Sequence, residues 1–251
     1  MKIDFLIIDP QQSFADPAGS LFVPGADADM DRLASLIDDV TPKINRIHVT
    51  LDQHHAIDIS HPSWYASEHG DPAKAITVMT YDPAKDVFSG FCPIDGSTVE
   101  YRTRRRGFHD HTKQYIEALA ASGRYPHTIW PEHCLIGDEG GTVHPAVLAA
   151  VQAWARSKVS TVNFVAKGSN PFTEHFSAVK AEVPQPNDPS TDINTAFVQS
   201  VDDADLTFFA GEALSHCMAN TGRDSVAVAP SLAKKLVLLT DATSNVPGFE
   251  Q

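Results

Sequence analysis

The sequence predicts a three-layer α/β/α fold with a mostly parallel central sheet. Three observations carry that prediction. Short apolar runs recur along the chain without alternation, as strands buried on both faces require. Segments with helical spacing lie between them. Several of the runs end in a polar or reactive residue, and the carboxyl ends of parallel strands are where open α/β sheets bind ligands.

The first strand is Phe5-Leu6-Ile7-Ile8, ending at Asp9. Residues 30–44 have helical spacing, with Leu33, Leu36, Ile37 and Val40 on one face. Residues 45–51 read as a second strand that runs into Asp52. From 64 to 124 the periodicity is weak. This stretch holds Pro72, Pro83 and Pro93, a basic run at Arg102, Arg104, Arg105 and Arg106, and an expected helix near 111–121. It is expected to be an insertion or lid, at roughly 65–125, within a single domain spanning 1–251. Residues 142–158 carry a second amphipathic helix through Val147, Leu148, Val151 and Trp154. Residues 161–165 form a strand running into Lys167, and 182–196 read as a surface loop. Residues 205–210 are a strand running into Gly211, and 235–239 are another, followed by Asp241. A doubly wound sheet is expected to cover its last strand with one more helix, and no helical pattern follows Asp241.

Composition narrows the function. With 42% hydrophobic and 20% charged residues there is enough apolar material for a core, which excludes a disordered chain. No apolar run approaches the ~20 residues of a membrane span. The first residues are too short and too acidic for a signal peptide, so the expected location is cytoplasmic. Acidic residues outnumber basic ones 32 to 19, a net charge of −13. That argues against nucleic acid or an anionic membrane as partner and leaves a small molecule open. Cys92, Cys134 and Cys217 are odd in number and lack metal-site spacing, so free thiols are expected, one of them kept for reactivity.

Candidate chemistry clusters at the strand ends. Cys217 follows a strand and a glycine turn, in Gly211-Glu212-Ala213-Leu214-Ser215-His216-Cys217, where a helix is expected to begin. It reads either as a small buried hydrophobe or as a nucleophile whose pKa a helix N-terminus lowers. Asp9 reads as a helix cap or a general base. Lys167 is a solvated charge, unless it converges with Asp9 and Cys217 and steadies their charges. Asp52 and His54 form an Asp-x-His pair at a strand end, as a metal needs, and His133 in Trp130-Pro131-Glu132-His133-Cys134 offers a third ligand. The alternative for these is polar loop histidines, of which the chain has 12 in all. His109-Asp110-His111 reads as the capped, solvated start of a helix.

Taken together and in this order, the segments resemble the nicotinamidase branch of the isochorismatase-like cysteine hydrolases. The resemblance rests on Asp9, Gln11 and Phe14; on Asp52 and His54; on Trp130 to Cys134; on Lys167-Gly168 with Ser177-Ala178; and on Gly211, Ala213 and Cys217. It spans nearly the whole chain. Isochorismatases and carbamoyl hydrolases look similar at the Asp, Lys and Cys positions but generally lack the metal trio. This sequence departs from the pattern at Ser13, Glu212 and His216, and in the longer span between His54 and His133.

The resemblance implies hydrolysis of nicotinamide to nicotinic acid and ammonia through a thioester on Cys217. Asp9 would be the proton carrier, Lys167 the stabilising cation, and the N–H groups of Cys217 and Ala213 the oxyanion donors, with a cis peptide before Ala213. It implies a divalent metal on Asp52, His54 and His133, zinc first with iron or manganese also fitting, which would anchor a pyridine nitrogen. Phe14 and Trp130 would be aromatic pocket walls, and Ser60 would hydrogen-bond near the metal. The implied partner is a small-molecule amide, and the implied assembly a homo-oligomer. The alternative function is a related amidohydrolase for another amide, ureide or carbamoyl compound. A scaffold that binds without turnover is a third reading, which the presence of Asp9, Lys167 and Cys217 disfavours.

Overall fold

The structure, a computed structural model, describes residues 1–249. In chain order its elements are β1 (Ile3–Ile8), α1 (Gln12–Ala15), α2 (Ala26–Val40), β2 (Ile44–Asp52), β3 (Tyr65–Ser67), β4 (Thr77–Asp82), β5 (Val87–Phe91), β6 (Thr98–Thr103), α3 (His109–Ser122), β7 (His127–Ile129), α4 (Pro145–Lys158), β8 (Asn163–Lys167), α5 (Thr195–Asp202), β9 (Leu206–Gly211), α6 (Ala219–Val228) and β10 (Leu236–Leu238), with short 3₁₀ turns between some of them.

β1 lies at the centre because it is apolar on both faces. It pairs in parallel with β2 on one side and β9 on the other, in a sheet of order β10-β9-β1-β2-β8 whose neighbours are all parallel. Phe5 and Ile7 pack on one face against Met30, Leu33 and Ile37 of α2 and Val147, Val151 and Trp154 of α4. Leu6 and Ile8 pack on the other against Phe197, Val198 and Val201 of α5 and Met218 ahead of α6. These four apolar side chains of β1 are fully buried, each stabilising the fold by about 1.5–3 kcal/mol. This is the three-layer α/β/α arrangement.

Two helix boundaries differ from the periodicity. α2 begins earlier, after Gly25, and stops at Val40; Pro42 then forces a 3₁₀ turn at Thr41–Lys43, so Ile44 opens β2 instead of closing the helix. α4 starts at Pro145, whose missing N–H suits the first helical position. Among the described residues no helix follows β10, and Val237 and Leu238 on it are exposed. No helix among them is long and apolar enough to cross a membrane.

The weakly periodic stretch is not irregular. It forms a second sheet, antiparallel, of order β3-β6-β5-β4-β7. It has its own apolar cluster, with Trp64, Tyr65, Met79, Phe88 and Tyr101 packed against Tyr115, Ile116 and Leu119 of α3. His109 pairs with Asp86 at 2.9 Å. His111, expected to be solvated, is half-buried, with its Nε2 2.7 Å from the Phe172 carbonyl. β7 runs directly into Trp130 and the His133 loop, so this second layer delivers residues to the rim of the first.

Candidate functional site

The register of the parallel sheet brings its strand ends together. Asp52 and Lys167 are directly paired as the last residues of β2 and β8. Ile8 pairs with Gly211 at the end of β9, which puts Asp9 between them. Asp9 turns at a positive φ of 42°. Its N–H donates to Thr50 Oγ1 (3.0 Å), and the Thr50 hydroxyl donates to Asp9 Oδ1 (2.5 Å). Gln11 clamps the two loops. Its Nε2 donates to the Asp52 carbonyl and its Oε1 accepts from the Asp52 N–H, both at 2.7 Å. Gly168 follows Lys167 at φ +81°, where a Cβ would lie 2.5 Å from Asp52 Oδ1. A side chain at that position would displace the carboxylate.

Lys167 is buried at the focus of this arrangement. Its Nζ lies 3.0 Å from Asp9 Oδ2 and 3.0 Å from Asp52 Oδ1, donates to the His175 carbonyl at 2.9 Å, and sits 3.7 Å from Cys217 Sγ. A carboxylate oxygen of Asp9, one of Asp52 and Cys217 Sγ all lie within 4.8 Å of one another. Cys217 stands in a π-helical turn, Leu214–Met218, that leads into α6. The turn follows a cis peptide bond between Glu212 and Ala213.

The charges in this group oppose one another. Burial lowers the Lys167 pKa, but Asp52 and Asp9 outweigh it and hold the amine well above its ordinary value. Burial raises Asp52, yet Lys167 and His54 hold it well below the usual carboxylate range. Burial raises Asp9, with Lys167 pulling it back. Cys217 corrects an expectation. Burial pushes its thiol well above the ordinary value against the pull of Lys167, and Asp9 and Asp52 add to the rise. The resting sulfur is therefore a thiol with an acceptor beside it, not a preformed thiolate.

Across Asp52 lies a group of three histidines. One nitrogen each of His54, His61 and His133 lies within 4.8 Å of the others, and all three residues are buried. His54 Nε2 is 3.1 Å and His133 Nε2 3.6 Å from Asp52 Oδ2, the oxygen not facing Lys167. Each ring is oriented from behind. His133 Nδ1 donates to the Pro131 carbonyl (2.8 Å), His61 Nδ1 to the His55 carbonyl (3.2 Å) and His54 Nδ1 to Asp58 Oδ2 (3.1 Å). A carbonyl only accepts, so the proton of His61 and His133 sits on Nδ1 and leaves Nε2 as a lone pair. His61 Nε2 is buried without a hydrogen-bond partner. Burial, with His133 and His54 adding to it, brings the His61 pKa down to about 3, so it stays neutral. Three oriented imidazoles and one carboxylate fit a zinc-like divalent cation, whose ligands are held by this kind of outer support.

No protein-family model matches the chain, and no curated protein matches it in sequence. Solved structures do match. The yeast nicotinamidase aligns over 98% of this chain and 89% of its own, at 22% identity and a TM-score of 0.61. PnC1 from L. infantum, solved with nicotinate, aligns over 98% and 83%, at 18% identity and 0.55. The pyrazinamidase of Pyrococcus horikoshii, solved with zinc, aligns over 99% and 89%, at 16% identity and 0.52. The chain has the isochorismatase-like fold of the nicotinamidases.

Within this nicotinamidase-type fold, the structure gathers Asp9, Lys167 and Cys217 on one side of Asp52 and His54 and His133 on the other. Phe14, Trp130 and Ala213 line a cleft over Cys217, together with Glu174, Phe176, His216 and Val246. Ser60 donates from Oγ to Asp58 Oδ1 at 2.8 Å, one residue from His61. Cys134 is structural: its N–H donates to Ser13 Oγ (2.9 Å), and its carbonyl accepts from the His54 N–H (3.0 Å). Ser13 thus ties the His133 loop to α1.

Sequence reasoning missed His61, Asp58 and Glu174. His61 and Asp58 share one irregular loop after Asp52-Gln53-His54, where no strand end or helical period marks them. Their only signal is a third histidine within reach of a short loop. Glu174 is buried in the cleft wall and burial raises its pKa.

Two expectations follow from this surround. Asp58 is fully buried, and its other oxygen accepts from the Ser60 N–H and hydroxyl. Asp58→Ala is expected to weaken zinc binding about 10- to 100-fold in a chelator-competition titration. Unchanged affinity would mean that packing alone holds His54. Glu212, in the turn before Cys217, is buried beside Asp29 and accepts from the Ser244 N–H (3.2 Å). Burial, then the Asp29 carboxylate, push its pKa well above the ordinary value. The folded chain keeps a proton there that the unfolded chain gives up. That contribution is complete below the ordinary glutamate pKa and is lost as pH rises through the folded value. Glu212→Gln is expected to melt about 2–4 °C above the wild type in mildly alkaline solution and to match it in acid. A parallel pH profile for the two proteins would refute this.

Proposed function

We propose that this protein is a nicotinamidase-type amidohydrolase that converts nicotinamide to nicotinic acid and ammonia. The observation that carries the reading is Lys167 Nζ at 3.0 Å from both Asp9 and Asp52 and 3.7 Å from Cys217 Sγ, with His54 and His133 beside the other Asp52 oxygen at 3.1 and 3.6 Å. Solved structures with this fold, one in complex with nicotinate and one with zinc, support it.

Asp9 accepts the Cys217 proton as the sulfur approaches the carboxamide carbon, so the thiolate forms only where it is used. Lys167 offsets the charge that then moves between Asp9 and the sulfur. The N–H groups of Ala213 and Cys217 receive the oxygen as it becomes an oxyanion. Asp9 returns the proton to the departing nitrogen, which leaves as ammonia, and a thioester remains on Cys217. Asp9 next takes a proton from water, which adds to the thioester carbon; the thiol re-forms and the carboxylic acid is released. A divalent cation held by Asp52, His54, His61 and His133, zinc being the best match to this donor set, supplies an attachment point for a ring nitrogen. Phe14 and Trp130 flank the ring.

The test is ammonia release from nicotinamide, pyrazinamide, benzamide and an allantoate-type ureide, with zinc and with a chelator. The two heteroaromatic amides are expected to be hydrolysed at least about tenfold faster than benzamide, which lacks the ring nitrogen. The chelator is expected to remove that preference. Turnover of the ureide alone would overturn the reading in favour of a related amidohydrolase.

A further inference from the structure

We infer that residues 243–249 form the outer wall of the cleft over Cys217, and that Phe249 limits the width of the ring that can enter. This rests on the reading of that cleft as the amide site and names the substrate class it admits: single, flat heteroaromatic rings without a fused second ring.

The segment is fastened at both sides of the turn that carries Cys217. The Gly211 N–H donates to the Ala242 carbonyl (3.0 Å) and the Leu214 N–H to the Ser244 carbonyl (2.8 Å). Ser244 Oγ donates to Asp29 Oδ2 (2.6 Å), and the Val246 N–H donates to Ser215 Oγ (3.1 Å). Gly25 faces the same serine, since a Cβ there would come within 2.8 Å of Ser244 Oγ. These contacts place Val246 in the cleft lining beside Phe14, Trp130 and Cys217.

Beyond Val246 the chain folds back, with the Phe249 N–H donating to the Val246 carbonyl at 3.1 Å. The Phe249 ring then meets the cleft from outside. Its centroid is 4.8 Å from that of His216, edge-on, and 6.0 Å from that of Trp130. Both partners are cleft-lining rings. Tyr125 stacks on the same imidazole at 5.1 Å, and its hydroxyl donates to the Ser215 carbonyl (2.8 Å), so His216 is held from behind. Burial brings the His216 pKa down to about 4, which leaves it a neutral ring in an aromatic group. A substrate ring lying along Trp130 therefore has His216 and Phe249 at its far edge. A second fused ring would have to occupy the volume of Phe249.

Phe249 is only partly buried and lies outside the apolar clusters of both sheets, so its truncation leaves the core intact. The experiment compares wild type with Phe249→Ala in two ways. First, Cys217 is labelled with iodoacetamide and with a naphthyl maleimide, and the modified peptide is quantified by mass spectrometry. The variant is expected to take the naphthyl reagent about tenfold faster, with iodoacetamide changing less than about twofold. Second, ammonia release is measured from nicotinamide and quinoline-3-carboxamide. The variant is expected to improve kcat/KM for the quinoline about tenfold relative to nicotinamide. If neither ratio changes, or both reagents accelerate together, the inference is wrong. A shifted labelling ratio in a protein that hydrolyses neither amide would uphold the wall and overturn the amide reading. An unshifted ratio in a protein that hydrolyses nicotinamide would do the reverse.

Discussion

Cys217→Ala is expected to abolish ammonia release from nicotinamide, by at least about 10⁴-fold in kcat, while the protein still melts cooperatively. On the proposed mechanism the Cys217 sulfur, which lines the cleft, forms the acyl bond. It lies within 4.8 Å of carboxylate oxygens of Asp9 and Asp52 and 3.7 Å from Lys167 Nζ. Its loss removes the proposed nucleophile and leaves the cleft walls in place. Because the resting thiol has a raised pKa, simple alkylation of the free enzyme is expected to be slow. Retained turnover in Cys217→Ala would mean that a different group, or water alone, attacks the amide.

The second large effect is expected from Lys167→Met. This side chain is buried between two carboxylates, each 3.0 Å from its nitrogen. Removing the cation leaves Asp9 and Asp52 facing each other with their charge unbalanced. Breaking a buried pair in this way costs about 3–5 kcal/mol, which for a chain of this size lowers Tm by roughly 10 °C. To survive, one of the two acids must take up a proton, and then either the proposed base or the proposed metal donor is lost. Turnover is expected to fall at least about 100-fold, with weaker zinc binding. A scan of Tm against pH should show the variant regaining stability in acid, where the carboxylates protonate. A variant with wild-type Tm at neutral pH would show that Lys167 is not the counter-charge described here.

The sheet that carries the site was legible because several of its strands are largely apolar runs that end at a polar residue of the candidate site. Phe5 to Ile8 ahead of Asp9 is the plainest case, since residues on both faces of β1 are buried. The second sheet was not legible. β3 and β7 have three residues each, too few for a period to register. β5 carries Gly90 where alternation calls for a side chain, because a Cβ there would lie 2.6 Å from the Tyr101 ring. Packing between strands, not pattern along them, decides that element. At the site, residues at or close behind strand ends and the motif residue His133 were found, and those deeper in the loop after His54 were not. Asp52 and Lys167 end strands, Asp9 directly follows one and Cys217 follows the turn after β9; His61 and Asp58 sit in a loop whose course is set by hydrogen bonds such as His61 N–H to the Asp58 carbonyl (3.0 Å). The direction of the thiol's pKa shift also lay beyond the sequence. A helical start suggested a lowered pKa, but burial beside two acids raises it.

The most direct measurement mixes the enzyme with nicotinamide, quenches in acid on the millisecond scale, and maps the adduct by mass spectrometry. A nicotinoyl thioester confined to Cys217, present in wild type and absent in Cys217→Ala, is the expected result. Nicotinic acid and ammonia appearing from wild type while Cys217 stays unmodified at every time point, even under conditions that slow deacylation, would contradict it.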